Sequence, residues 1–227
     1  MNVIEVTGLS KIYNESEIEV KAVDNVSLSI KEGEFIALVG PSGSGKTTLL
    51  NMLGGLDKPT SGEIVIGAEN ITRKTSSQLI DFRLKNIGFV FQAYNLVPVL
   101  TAKENVEFVM TLQGYPKKER SRRSLDLLEK VGLSDKVNSR PNKLSGGQQQ
   151  RIAVARALAS KPKFILADEP TANLDLESTE NLLEIMQKLN ENEKVTFVFS
   201  THDERVVRKA KRVIILRDGK IESDTTK

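Results

Sequence analysis

The residues best placed to do chemistry begin at Gly40. Gly40-Pro41-Ser42-Gly43-Ser44-Gly45-Lys46-Thr47 reads G-x-x-x-x-G-K-[ST], after the apolar run Phe35-Ile36-Ala37-Leu38-Val39 and before a helix-period segment at 47–53. Strand, loop and helix in that order is the context in which this pattern carries a mechanism. The glycines let successive backbone N–H groups turn inward around phosphate oxygens. A helix opening near Lys46 aims its positive end at the same anion. On this reading Lys46 reaches the β- and γ-phosphates of a nucleotide, and the Thr47 hydroxyl holds Mg²⁺.

Three further positions extend that chemistry. Phe164-Ile165-Leu166-Ala167 runs into Asp168-Glu169-Pro170, placing two acids at the carboxyl end of a buried strand, where α/β sheets bind ligands. Adjacent strand residues point to opposite faces, so the two acids share a site only if the strand ends between them, which Pro170 encourages. Asp168 suits support of Mg²⁺, and Glu169 suits a general base or water-orienting group. His202, the single histidine, follows the apolar run 195–199 at another strand end, where a γ-phosphate contact is its natural role. Leu144-Ser145-Gly146-Gly147-Gln148 opens a long helix-period segment. Ser145 and Gln148 make a capping box, but two glycines in a first turn weaken a helix. They make sense if a ligand approaches the backbone closely, as a second anion site at a helix N-terminus.

The elements that must position these residues follow from periodicity. Short apolar runs at 4–9, 26–30, 35–39, 63–66, 88–91, 164–167, 195–199 and 213–216 are strand candidates bounded by turn signals. Helix-period segments lie at 47–53, 101–113, 121–131, 145–160 and 177–189. In 121–131 the apolar face is read as Leu125, Leu128 and Val131, and in 177–189 as Leu182, Ile185, Met186 and Leu189. Strand–helix alternation predicts an α/β fold with a largely parallel sheet. The stretch 93–160 is helical without a clear strand, which reads as a helical insertion in an α/β core.

Composition excludes several classes. The 227 residues hold no Cys and one His, so disulfide scaffolds, thiolate zinc sites, cysteine nucleophiles and multi-histidine metal sites are out. No apolar run approaches the ~20 residues that span a bilayer, and residues 1–19 lack the apolar core of a leader. The expectation is a cytoplasmic protein. The net charge of +3 is concentrated in two runs, 117–123 and 204–212, each with five basic residues and one acid. Each reads either as a solvated helix face or as a contact for a permease or for anionic lipid.

Over nearly its whole length the sequence resembles the ATP-binding-cassette (ABC) ATPases. Leu144–Gln148, continuing as Gln149-Gln150-Arg151, matches their signature about 100 residues beyond the phosphate loop. The resemblance implies further roles. Tyr13 stacks on adenine, Thr48 joins the loop residues around the phosphates, and Gln92 contacts Mg²⁺ or the attacking water. Asp168 and Glu169 are the Walker B aspartate and catalytic glutamate, and His202 is the switch histidine. Asp175, in Ala172-Asn173-Leu174-Asp175, belongs to the D-loop. The implied fold is a P-loop NTPase of α/β class. It has a RecA-like core plus an N-terminal antiparallel β portion (1–92 and 161–227) and a helical signature subdomain (93–160), in one cassette of residues 1–227 without the C-terminal regulatory extension of some importer ATPases. Two copies are expected to pair head to tail around ATP, each Ser145 region closing on the partner's phosphate loop, and to drive a separate transmembrane permease from the inner face of the membrane. Segments 56–63, 91–98 and 166–175 look like the lipoprotein-releasing, macrolide-exporting and cell-division ATP-binding subunits. Two alternatives stay open: a regulatory or mechanical module that moves no solute, and a soluble ABC protein of DNA repair or translation. No nucleic-acid partner is expected.

Overall fold

A computed structural model describes residues 1–13 and 19–227. Residues 14–18, part of the stretch read for a leader, lie outside it. In chain order the elements are β1 (Asn2–Tyr13), β2 (Val20–Lys31), β3 (Phe35–Val39), α1 (Lys46–Leu53), β4 (Ser61–Ile66), β5 (Glu69–Asn70), α2 (Ser76–Asn86) and β6 (Ile87–Val90). There follow α3 (Ala102–Leu112), α4 (Lys117–Lys130), two 3-10 turns (Ser134–Lys136 and Pro141–Lys143) and α5 (Gly146–Ala159). The chain continues with β7 (Phe164–Asp168), α6 (Leu176–Glu193), β8 (Phe197–Ser200), α7 (Glu204–Lys209), β9 (Arg212–Arg217) and β10 (Lys220–Thr226).

The central sheet has the order β10-β9-β3-β8-β7-β6. From β9 to β6 the strands are parallel, and β10 is an antiparallel edge. Both faces are covered, which is why its strands read as continuous apolar runs. Alternation splits each strand between two cores. Phe35, Ala37, Ile165, Ala167, Phe197 and Phe199 face a core shared with α3, α4, α5 and α6. Ile36, Leu38, Phe164, Leu166 and Val198 face the opposite way, onto α1, α2 and an antiparallel sheet of order β2-β1-β4-β5. This is the expected α/β architecture with an antiparallel portion. Between β6 and β7 the described chain is helical, with no strand.

The structure adds four elements to the sequence reading and corrects one helix face. Helix α2 has few apolar positions, but Thr75 and Gln78 form a full capping box, and Leu79 and Phe82 are buried. β5 and α7 are too short to show a period. β10 is an edge strand of mostly polar residues, KIESDTT. In α4 the buried face is Ser124, Leu127 and Leu128, continued by Val131, while Leu125 is 43% exposed. Steps of i, i+3, i+4 and i+7 hold one face, whereas two successive steps of three drift off it. No helix among the described residues is long and apolar enough to cross a membrane.

Candidate active site

The phosphate loop joins the middle of the central sheet to α1. Gly45 sits at φ +96°, and a Cβ there would lie 2.1 Å from the Ala22 carbonyl oxygen, so only glycine lets α1 start against β2. Lys46 Nζ donates to the carbonyls of Gly40 (2.8 Å) and Pro41 (2.9 Å), which holds the ammonium inside the loop. Around the loop lies a cleft of about 700 Å³. Gly40, Pro41, Ser42, Gly43, Ser44, Gly45, Lys46, Thr47 and Thr48 line it together with Gln92, Glu169 and His202. Five separated segments thus converge, because β3, β6, β7 and β8 end on one edge of the parallel sheet and β2 folds over it.

The acid pair is resolved by backbone geometry. β7 ends at Asp168, and Glu169 takes φ +45°, outside the strand. Both carboxylates therefore reach the same edge. Asp168 Oδ1 lies 3.3 Å from Thr47 Oγ1, the donor. Glu169 Oε1 lies 2.7 Å from His202 Nδ1, and Thr201 Oγ1 donates to Glu169 Oε2 at 3.3 Å. Beyond His202, Asp203 accepts from Thr171 Oγ1 (2.8 Å) and from the Arg205 guanidinium. Burial raises the Asp203 pKa, but hydrogen bonds from Arg205 and Thr171 outweigh it and bring the value down to about 2. This carboxylate ties the segment after Glu169 to the segment carrying His202.

Other expected residues lie elsewhere. The Tyr13 hydroxyl donates to Asp57 at 2.6 Å, and Lys11 Nζ stands 4.8 Å from its ring centroid. Tyr13 does not line the cleft; Val20, Lys21 and Ala22 do, and no motif announced them. Ser145, Gly146, Gly147 and Gln148 are also outside the cleft. Ser145 caps α5 and exchanges both capping-box bonds with Gln148. The two glycines have a reason within the chain: a Cβ on Gly146 would lie 2.6 Å from Tyr94 Oη, and one on Gly147 would lie 2.6 Å from Ser178 Oγ. Asp175 caps α6, and bonds from the Ser178 N–H and hydroxyl hold its carboxyl below the usual range.

Sequence reasoning gave Gln150 no role of its own. Fully buried on α5, its Nε2 donates to the carbonyls of Phe91 (3.1 Å) and Pro170 (2.7 Å). Arg156 on the same helix donates to the carbonyls of Tyr94 and Asn95. Asn173 Nδ2 donates to the Gln92 carbonyl at 3.1 Å. The segment after β6 is thereby bound to α5 and to the segment after β7.

The residues fit a magnesium nucleotide. Ser44 Oγ is buried in the loop without a partner among the described residues. Thr47 and Asp168 offer the hard oxygen donors that suit Mg²⁺, which is normally held by one or two protein oxygens plus substrate phosphates.

The family model for "ABC transporter" matches residues 23–172. The chain belongs to the ABC transporter family. An uncharacterized ABC transporter ATP-binding protein of Thermotoga maritima is 51% identical over 97% of this chain and 94% of its own length. The macrolide export ATP-binding/permease protein MacB of Aggregatibacter actinomycetemcomitans is 46% identical over the whole of this chain, which spans 35% of that protein. Among solved structures, the dimeric post-hydrolysis state of the ATP-binding cassette MJ0796 bound to ADP and Pi superposes with a TM-score of 0.89, at 44% identity and with 98% of both chains covered. MJ0796 is an ABC transporter ATP-binding protein of Methanocaldococcus jannaschii. The present chain is an ATPase of this ABC family, with the P-loop NTPase fold that its sequence led one to expect.

Proposed function

We propose that the chain is the motor subunit of an ABC transporter, in which two copies close around ATP and drive a permease on a separate chain. The observation that carries this reading is spatial. Lys46, Thr47, Gln92, Glu169 and His202 meet in one cleft, while the Ser145 helix terminus lies outside it on the same chain. A second copy can bring its Ser145 terminus to the open cleft. The dimeric structures of MJ0796 support such pairing.

Within the cleft, the loop N–H groups and the Lys46 ammonium hold the phosphates. Mg²⁺ on Thr47 and Asp168 would neutralise charge on the β- and γ-phosphate oxygens. Glu169 orients the attacking water and takes its proton. His202, held by the same carboxylate, offers its other ring nitrogen toward the γ-phosphate. Val20, Lys21 and Ala22, which line the cleft, would border the nucleoside end. ATP favours the closed pair because it contacts both copies, and hydrolysis removes that preference. An apolar groove of about 450 Å³, containing Phe89, Phe91, Phe108 and Leu112, lies beside Gln92 and suits a helix of the permease. The 93–160 segment would act as the subdomain that transmits closure to that helix. The chain would then sit at the cytoplasmic face of the membrane, attached through its partner.

Ser145→Arg tests the pairing. Its bulk and charge should block closure, abolishing cooperative ATP hydrolysis while nucleotide still binds to the single chain. Cooperative hydrolysis at the unmodified level in that variant would remove the second copy from the mechanism.

A further inference from the structure

The two cationic runs are treated differently by the fold. In 204–212 four of the five cations are paired with carboxylates: Arg205 with Asp203 (2.8 Å), Lys209 with Glu180 (4.0 Å), Lys211 with Glu191 (3.8 Å), and Arg212 with both Glu34 (2.9 Å) and Asp224 (2.6 Å). In 117–123 no cation is ion-paired among the described residues; the neighbouring pairs belong to Lys103, Lys130 and Lys136. Arg120 and Arg123 have structural work, donating to the carbonyls of Tyr115 and of Leu158 and Ala159. Among the described residues Lys117, Lys118 and Arg122 have no such contact, and all three are exposed.

Their placement is unfavourable for the helix itself. Lys117 and Lys118 open α4, where the helix presents its own positive end, and Pro116 supplies no side-chain cap. Helix stability therefore does not explain them. Across the turn at 113–116, α3 ends in Phe108 and Leu112, one helical turn apart and 43% and 59% exposed. Phe108 and Leu112 belong to the groove assigned above to the permease helix, and the cations that follow across the turn, unpaired among the described residues, are of the kind that bind anionic lipid headgroups.

We infer that Lys117, Lys118 and Arg122 form a contact surface for the anionic headgroups of the bilayer. This rests on the reading above to the extent that the Phe108–Leu112 groove faces a membrane partner, which turns the α3–α4 turn toward the lipid around it. The contact adds to the permease interface and orients the cassette beneath it.

The experiment is co-sedimentation of the purified full chain with vesicles of phosphatidylcholine alone or mixed with phosphatidylglycerol, at low and high salt. The unmodified chain should bind only the mixed vesicles, and salt should weaken it. At roughly fivefold per cation removed, and with repulsion added by the new carboxylates, the K117E/K118E/R122E variant should lose more than about a hundredfold in affinity. K31E/K188E/K194E, with the same change in net charge elsewhere on the surface, should stay within about threefold, because remote charges are screened. If the reversal variant loses its native circular dichroism, K117Q/K118Q/R122Q provides the same comparison with a smaller loss. Equal binding to neutral vesicles, unchanged binding by the 117/118/122 variants, or equal loss in the control would overturn the inference. So would displacement from the vesicles by single-stranded RNA at lower concentration, which would assign the surface to nucleic acid. Solution ATP hydrolysis by the same preparation tests the ATPase reading separately: it should be unchanged by these substitutions whether or not vesicles bind.

Discussion

Glu169 Oε1 and His202 Nδ1 are 2.7 Å apart, at the ends of neighbouring parallel strands whose last paired residues are Asp168 and Ser200. With the proton on Nδ1, the imidazole donates to the carboxylate, fixing both side chains at the mouth of the phosphate loop. On the proposed roles, the base and the γ-phosphate contact would form one unit, and removing either would disturb the other.

His202→Ala should accordingly lower kcat for ATP by about 10²-fold or more, the usual scale for losing a positioned proton-transfer group. Nucleotide affinity should change by less than about threefold, since the loop and Lys46 are untouched. Steady-state phosphate release with a parallel nucleotide-binding titration checks this; unimpaired turnover would show that Glu169 does not depend on its partner.

Gln150→Leu should be costly although the residue does not line the cleft. It strips the donor from two main-chain carbonyls, Phe91 and Pro170, around a fully buried position. Two unsatisfied acceptors cost about 2–4 kcal/mol, a fall in Tm of roughly 5–15 °C for a chain of this size. Thermal unfolding followed by circular dichroism measures it. An unchanged Tm would mean that α5 is not held to the ends of β6 and β7 by this side chain.

Much of the site was legible because its parts are contiguous. Residues 40–48 form one uninterrupted segment, and strand, loop and helix each carry a local signal. The acids at 168 and 169 were legible as a pair, but alternation left open whether they share a face; the positive φ at Glu169, not its residue type, decides it. Val20, Lys21 and Ala22 could not be found, because they reach the cleft only when the antiparallel sheet folds over the loop, a contact that leaves no period or motif. The glycines at 146 and 147 were legible as exceptional but have a second cause in packing against Tyr94 and Ser178. Helix α2 was within reach through its Thr75–Gln78 capping box, whereas its sparse apolar stripe hid it.

Acid should loosen the segment behind His202. The folded pKa of Asp203 is about 2, below the 3.8 of an unperturbed aspartate, so unfolding takes up a proton between about pH 4 and pH 2. The contribution to stability is present above pH 4 and is lost as the pH falls through that window. Its size is about 2 kcal/mol at most, reduced by solvent screening because Arg205 is a quarter exposed. In urea unfolding, the stability gap between the unmodified chain and Asp203→Asn should shrink by about half from pH 6 to pH 3. A gap independent of pH would show that the Asp203 charge is not held by Arg205 and Thr171.

The claim that Glu169 drives hydrolysis in a cleft shared by two copies is tested most directly by Glu169→Gln. The substitution keeps a hydrogen-bonding group beside His202 but removes the base and one negative charge near the γ-phosphate. Size-exclusion chromatography with ATP and magnesium, run alongside a phosphate-release assay, should show a stable dimer and hydrolysis reduced by at least about 10²-fold. A variant that stays monomeric in ATP and releases phosphate at the unmodified rate would contradict both halves of the claim.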